Sequence, residues 1–86
     1  MSSSVNAILL AHCPDHKGIV STVSTFLYDN NANIVNLDQH VDADQNRFYM
    51  RVEWEMDGFD IPREKIDDYF KTLIGDKLDM KWSLHF

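Results

Sequence analysis

The segment of residues 47–56 alternates more regularly than any other part of the chain, and this pattern restricts the fold most. Apolar side chains stand at Phe48 and at every second position up to Met56, with charged or polar side chains between them. Successive side chains of a β-strand point to opposite faces of its sheet, so the pattern predicts a strand with one buried and one exposed face. We interpret the segment as part of a sheet with one covered face.

The other segments predict three more strands and two helices. Residues 5–12 are apolar on both faces, which favours a strand in the interior of the sheet, and residues 33–41 return to period two. The alternating residues 78–86 predict a closing strand, and the polar residues 42–46 predict a hairpin loop.

Two stretches have apolar side chains at helical spacing. The first helix is expected to begin at Gly18 and to fray at residues 29–31, and the second to begin near Pro62 and to end at Gly75. The apolar stripes are Ile19, Val20, Val23, Phe26 and Leu27 in the first helix, and Ile66, Phe70, Leu73 and Ile74 in the second.

The predicted elements follow the order βαββαβ. Right-handed crossovers fold two strand-helix-strand halves into a four-stranded antiparallel sheet with both helices on one face, which is an α+β, ferredoxin-like sandwich. The first and third strands are then central. The helix-free face should collect the polar side chains Tyr49, Arg51, Glu53, Glu55, Lys77, Asp79, Lys81 and His85. We expect self-association at the edge of the second strand instead, because unpaired strand groups invite a second copy.

Length and charge disfavour several classes of function. The chain allows one domain, residues 1–86, and its net charge of -6, from 14 acidic and 8 basic residues, disfavours nucleic acid as a partner. Residues 1–4 carry no basic side chain, and the longest apolar run, residues 7–11, is far shorter than the ~20 residues that cross a bilayer. We predict a cytoplasmic protein without a membrane partner. Its single cysteine fits a reducing compartment.

Residues 12–18 combine polar side chains with a glycine where the first helix begins. A helix start exposes unpaired N–H groups and the positive end of a dipole, and glycine lets backbone or ligand approach closely. Function is therefore expected first at this turn.

The chain resembles an ACT domain, and more closely the N-terminal ACT domain of formyltetrahydrofolate deformylases. The resemblance covers essentially the whole chain. It rests on C-P-D-H-K-G-I-V at residues 13–20, A-N-I at residues 32–34, L-D-Q-H-V-D at residues 37–42 and R-F-Y-M-R-V-E-W-E at residues 47–55.

The resemblance implies a homodimer that pairs edge to edge through the second strand and binds a small amino acid at the seam. The implied ligand-binding residues are Asp15, His16, Lys17 and Gly18 from one copy and Asn33 and Ile34 from its neighbour. Asp15 stands where many ligand-binding members have a neutral residue, and its carboxylate suits the amine of an amino acid. Glycine and methionine are the first effectors to try, given the one-carbon context that the resemblance supplies.

The resemblance also implies a parent enzyme whose C-terminal formyl-hydrolase domain makes formate and tetrahydrofolate from 10-formyltetrahydrofolate for purine synthesis. That domain is absent from this chain, so we expect no catalytic residue and no cofactor here. Two alternatives stay open: a purely structural dimerisation domain, and a free-standing ACT regulator.

Other chemistry is disfavoured by spacing. His12, Cys13 and His16 have no fourth zinc ligand nearby, and Cys13 has no third group to orient a nucleophile and base. The acidic loop at residues 42–53 has Arg47 where a calcium loop needs glycine. An acylphosphatase of this topology needs an arginine in the first loop, where Lys17 is the only cation.

A structural role also competes with ligand binding. Asp15 near a helix start and Asn33 in a turn are residue types that cap backbone N–H groups without any ligand. Capping and ligand binding therefore remain alternative interpretations of both residues.

Overall fold

The computed structural model describes residues 5–86, so the expectation for residues 1–4 lies outside the described part. The elements are β1 (Asn6–Pro14), α1 (Ile19–Asp29), β2 (Asn33–Asp42), β3 (Arg47–Glu55), α2 (Ile66–Phe70), α3 (Asp76–Leu78) and β4 (Lys81–His85). A 3-10 turn, Arg63–Lys65, precedes α2, and a π-helical turn, Lys71–Gly75, joins α2 to α3. The predicted α+β order is confirmed, with the second helix built from these four short pieces.

The strands form one antiparallel sheet in the order β2-β3-β1-β4. β1 pairs with β3 along its whole length, from Asn6 opposite Glu55 to Pro14 opposite Arg47. It therefore extends beyond His12, where the sequence pattern ended it. As predicted, β1 and β3 are central and β2 and β4 are the edges.

The hydrophobic core lies between one face of the sheet and the helices. The alternating residues of the two central strands supply Ala7, Leu9, Ala11, Cys13, Phe48, Met50, Val52 and Trp54, all buried. The ring of Phe26 in α1 meets that of Phe70 in α2 edge-on, 5.8 Å between centroids, over the same face. Both helices therefore cover one side of the sheet, and the other side is open.

Gly75 does not end the second helix, and this prediction is wrong. Its φ of -56° is helical, and the chain turns only at Asp79, whose φ is 52°. The reason for the glycine is a contact with Trp82: a Cβ at position 75 would stand 2.8 Å from Cη2 of Trp82.

Leu73 was also wrongly placed in the buried stripe, since it is 50% exposed while Ile74 beside it is buried. A π-helical turn holds more residues than an α-helical one and so rotates the stripe.

Because the helix continues to Leu78, β4 begins at Lys81 and not at Leu78. Two residues assigned to the helix-free face therefore do not belong to it. Lys77 lies in α3 and Asp79 in the turn that follows. The alternation at residues 78–80 is the end of a helix and a turn, not the start of a strand.

A β-bulge interrupts β2 near its beginning. Ile34 lies opposite Trp54 and Asn36 lies opposite Glu53, so Val35 is the extra residue between them. Strict period two would put Val35 on the same face as Leu37 and Val41, and this expectation is wrong for Val35 because the extra residue breaks the alternation. Bulges are common at sheet edges.

Candidate functional site

The turn between β1 and α1 is held by the backbone at both ends. The N–H of Asp15 donates to the carbonyl of Asn46 in the β2–β3 hairpin at 3.0 Å. At the other end Gly18 has a φ of +86°, a left-handed conformation that favours glycine. The Gly18 carbonyl accepts hydrogen bonds from Thr22 N, Thr22 Oγ1 and Ser21 Oγ at 3.0, 2.7 and 3.1 Å. The turn is therefore fixed without using the side chain of Asp15.

In the described part of the chain, no side chain caps the start of α1, and its first turn holds no acidic residue. Asp15 is thus not the capping residue that the structural interpretation required. The N–H groups and the positive dipole end at the start of α1 have no side-chain acceptor, which is the condition under which a ligand carboxylate can take that place.

A cavity of about 370 Å³ lies beside this turn, between the start of α1 and the end of β2. Asp15, His16 and Gly18 line it, whereas Lys17 belongs to the turn but not to the lining. The cavity falls at the small end of the range of ligand pockets and suits a molecule of amino-acid size.

Three lining residues from the sheet were missed by sequence reasoning: Gln39, Val41 and Phe48. The alternation of β2 and β3 places them on the covered face of the sheet. Phe48 is buried, but Gln39 and Val41 are exposed because β2 is an edge strand that α1 does not cover at this end. The alternation of β2 could have indicated Gln39 and Val41, because it places them on the face that the helices cover. Recognising them as exposed required knowing which part of that face α1 leaves uncovered.

Asn33 and Ile34 lie at the opposite end of the sheet from the turn. Asn33 is opposite Glu55 at one end of β3, and the turn is tied to Asn46 at the other. At about 3.3 Å per residue, the length of β3 separates them by roughly 26 Å. Asn33 does not cap a turn either: among residues 5–86 no backbone N–H donates to its Oδ1, and its Nδ2 donates to Glu55 Oε1 at 2.6 Å. Within one chain, the six predicted ligand-binding residues therefore form two separate groups.

His12 and Cys13 cannot act on one ligand, because they face opposite sides of the sheet. Cys13 is fully buried under the helices, and this burial raises the pKa of its thiol, against an opposing effect from the Arg47 charge. A buried, protonated thiol is a poor nucleophile and a poor metal ligand. His12 lies on the open face, where its ring stacks on Tyr49 at 5.6 Å. The geometry thus removes the basis for a site made of His12, Cys13 and His16.

The acidic hairpin loop is closed by its own groups, as predicted for a hairpin tip. Oδ1 of Asp42 accepts the N–H groups of Asp44 and Gln45 at 3.1 and 3.3 Å. Asn46 has a φ of 51° and completes the turn into β3. Among residues 5–86, no cluster of three or more potential metal ligands is found, and no helix has the length and apolarity to cross a membrane.

Comparison with known proteins gives a consistent family assignment. The model of the ACT domain family matches residues 7–68. Formyltetrahydrofolate deformylase from Synechocystis sp. is 37% identical over 83 residues, which are 96% of this chain and 29% of the relative. This chain therefore spans less than a third of that relative's length.

Solved structures agree with this assignment. A crystal structure of a formyltetrahydrofolate deformylase from Pseudomonas syringae pv. tomato superposes with a TM-score of 0.87 and 29% identity, over 93% of this chain and 26% of that one. An ACT domain protein from Streptococcus pneumoniae shares the fold, with a TM-score of 0.79 and 23% identity, over 98% of this chain and 90% of that one. The chain belongs to the ACT domain family and matches the N-terminal ACT region of formyltetrahydrofolate deformylases.

Proposed function

We propose that this chain is a regulatory domain that dimerises through the β2 edge and binds a small amino acid at the β1–α1 turn. The observation that carries the proposal is the start of α1, which has no side-chain cap and lies beside a ligand-sized cavity lined by Asp15 and Gly18. The N–H groups suit the carboxylate of an amino acid, and Asp15 suits its ammonium group. Glycine and methionine are the effectors to try first.

The sheet topology supports the proposed dimerisation through β2. β2 has a strand partner on one side only, and Val35 and Val41 on it are 48% and 46% exposed. Two β2 strands that pair antiparallel about a twofold axis bring the beginning of one strand beside the end of the other. Asn33 and Ile34 of the second copy would then approach the turn of the first, and the two separated groups would form one site.

The regulated activity in this proposal is that of a formyltetrahydrofolate deformylase. Its formyl-hydrolase domain would hydrolyse 10-formyltetrahydrofolate to formate and tetrahydrofolate in one-carbon metabolism and purine synthesis. The support is the match over 96% of this chain to such an enzyme. A free-standing ACT regulator is the second candidate, favoured by the fold match that covers 90% of the S. pneumoniae ACT domain protein.

Amino-acid binding is tested by titrating the proteinogenic amino acids into the chain and following heat of binding and thermal stability. We expect at least one small amino acid to bind, and Gly18→Leu to weaken it by about tenfold or more, because the side chain obstructs the start of α1. Gly58→Leu is the matched control, since Gly58 has a similar φ of +80° and open space around it. The Gly58→Leu variant carries the same backbone strain and should bind the amino acid as tightly as the native chain.

If the native chain gives no heat of binding and no thermal shift with any amino acid at millimolar concentration, amino-acid binding is contradicted. The purely structural dimerisation domain is then the remaining alternative. Binding that survives unchanged in Gly18→Leu would place the site elsewhere.

Dimerisation through β2 is tested by sedimentation of Val35→Lys. The native chain should sediment as a dimer, and the lysine should shift it toward the monomer, because a charge on an edge strand opposes pairing with a second strand. Tyr28→Lys is the control, on a residue of α1 that is 79% exposed. Amino-acid affinity should fall together with the dimer fraction, because Asn33 of the neighbour is lost. A native chain that stays monomeric at high concentration, or a Val35→Lys dimer, would contradict this interface.

A further inference from the structure

The open face of the sheet has a groove of about 530 Å³, on the opposite side from the β1–α1 turn cavity. Leu10, His12, Tyr49 and Arg51 from the two central strands contribute to it, and β2 and β4 contribute Asp38, His40, Lys81 and Ser83. We call it the sheet-face groove. Its volume is that of a small-molecule pocket. Of its lining residues only Gln39 also lines the turn cavity.

Three aromatic rings form a row across the floor of the groove. The register places His12 of β1 and His40 of β2 directly opposite Tyr49 of β3 on its two sides. The His12 and Tyr49 rings are 5.6 Å apart and inclined by 27°, and the His40 and Tyr49 rings are 6.2 Å apart and inclined by 37°. The row lines the groove with aromatic rings against which a flat aromatic ligand can pack, by a ring face or a ring edge.

The end of this row toward β1 and β4 is positively charged. Lys81 lies opposite His12 in the sheet. Arg47 donates to Nδ1 of His12, with Nε at 3.2 Å and Nη2 at 2.9 Å, and so fixes the orientation of the ring. The single carboxylate among the lining residues, Asp38, lies two strands away on β2, opposite Arg51. A chain with a net charge of -6 thus has a cationic end on an aromatic groove.

We propose that the sheet-face groove binds a flat aromatic molecule with one carboxylate group. The aromatic part would pack against Tyr49 and the histidine rings, and the carboxylate would lie toward Lys81, the cation that lines the groove beside His12. Stacking supplies dispersion and area burial, and the cationic end distinguishes an anion from a neutral analogue. The ligand needs no ammonium group, so this site differs from the amino-acid site in chemistry as well as in position.

The test uses indole-3-acetate as the probe, with backbone and side-chain NMR shifts as the measurement. We expect saturable shifts of His12, His40 and Tyr49. Indole-3-acetamide, which lacks the charge, and cyclohexylacetate, which lacks the aromatic ring, should each bind at least about fivefold more weakly. Saturation with glycine should not displace the probe, so the result is independent of the proposed amino-acid site.

Two variants with matched controls locate the binding. Tyr49→Ala and Lys81→Gln should each weaken indole-3-acetate by about fivefold or more, whereas Tyr49→Phe, which keeps the ring, should bind normally. Tyr28→Ala and Lys71→Gln are controls: Tyr28 is exposed on α1, and Lys71 pairs with Asp76 near the end of the second helix. No saturable shifts at millimolar probe, equal binding of the three probes, or unchanged affinity in both Tyr49→Ala and Lys81→Gln would overturn the proposal.

Discussion

Replacement of Trp54 with alanine is expected to lower the free energy of unfolding by about 3–5 kcal/mol. Trp54 is 1% exposed and is among the largest fully buried side chains. It lies in a central strand between Ala7 and Ile34, and its ring packs 5.5 Å from that of Phe59. Removing the indole leaves a cavity that a rigid sheet cannot close. Small domains are stable by only about 5–15 kcal/mol, so a large part of the stability is lost.

Urea denaturation followed by circular dichroism measures this loss. Trp54→Phe should cost clearly less than Trp54→Ala, because it keeps most of the volume and removes Nε1, a buried donor with no hydrogen-bond partner in the described part of the chain. Leu73→Ala, at a half-exposed position, should cost about 1 kcal/mol or less. A cost for Leu73→Ala as large as that of a buried leucine would contradict the π-helical turn that rotates this residue outward.

Gly75→Ala is expected to destabilise the protein by about 1–3 kcal/mol, although alanine favours helices. The backbone at Gly75 is helical, so the substitution creates no strain in φ. The cost comes from Trp82, whose ring would contact the new Cβ. That ring cannot move freely, because it packs 5.1 Å from Phe70 and its Nε1 donates to Asp67 Oδ1 at 3.0 Å.

A double-mutant cycle separates the steric conflict with Trp82 from the gain in helix propensity. In a Trp82→Ala background the steric conflict is gone, and Gly75→Ala should become stabilising by up to about 1 kcal/mol, the difference in helix propensity. The change of sign is the diagnostic result, measured by thermal or urea unfolding of the four proteins. The same destabilisation by Gly75→Ala in both backgrounds would show that the glycine is needed for its backbone and not for the approach of Trp82.

Features that depend on local periodicity were predicted well from the sequence. The alternation in residues 47–56 identified β3 and its buried side chains, and the hairpin loop and the first helix followed from polar residues and helical spacing. These predictions hold because side-chain direction in a strand or helix follows from the local backbone alone. β1 was recognised as an interior strand because both of its faces are apolar, whereas the central position of β3 followed from the βαββαβ topology.

Local sequence patterns predicted only part of the candidate site. Polar residues and Gly18 marked the β1–α1 turn, but the turn is fixed through the distant carbonyl of Asn46. Gln39 and Val41 were missed because their exposure depends on where α1 stops covering the sheet. Capping by Asp15 and Asn33 was a reasonable expectation from residue type. In the described part of the chain no side chain caps the start of α1, and the amide of Asn33 donates to Glu55 across the strands.

By itself the sequence determined the order of the elements, the covered face of the central strands and the turn where a ligand is expected, because these follow from neighbours along the chain. Only the tertiary structure decided why position 75 is a glycine, which residue of β2 bulges out, and that β1 continues past His12, which puts His12 and Cys13 on opposite faces of the sheet. Those outcomes depend on contacts between separate elements, such as Gly75 with Trp82 across the turn into β4 and His12 with Arg47 between the neighbouring strands β1 and β3. No local sequence pattern predicts such contacts, because the same residue types are compatible with several arrangements of the elements. The packing of the core determines which arrangement forms.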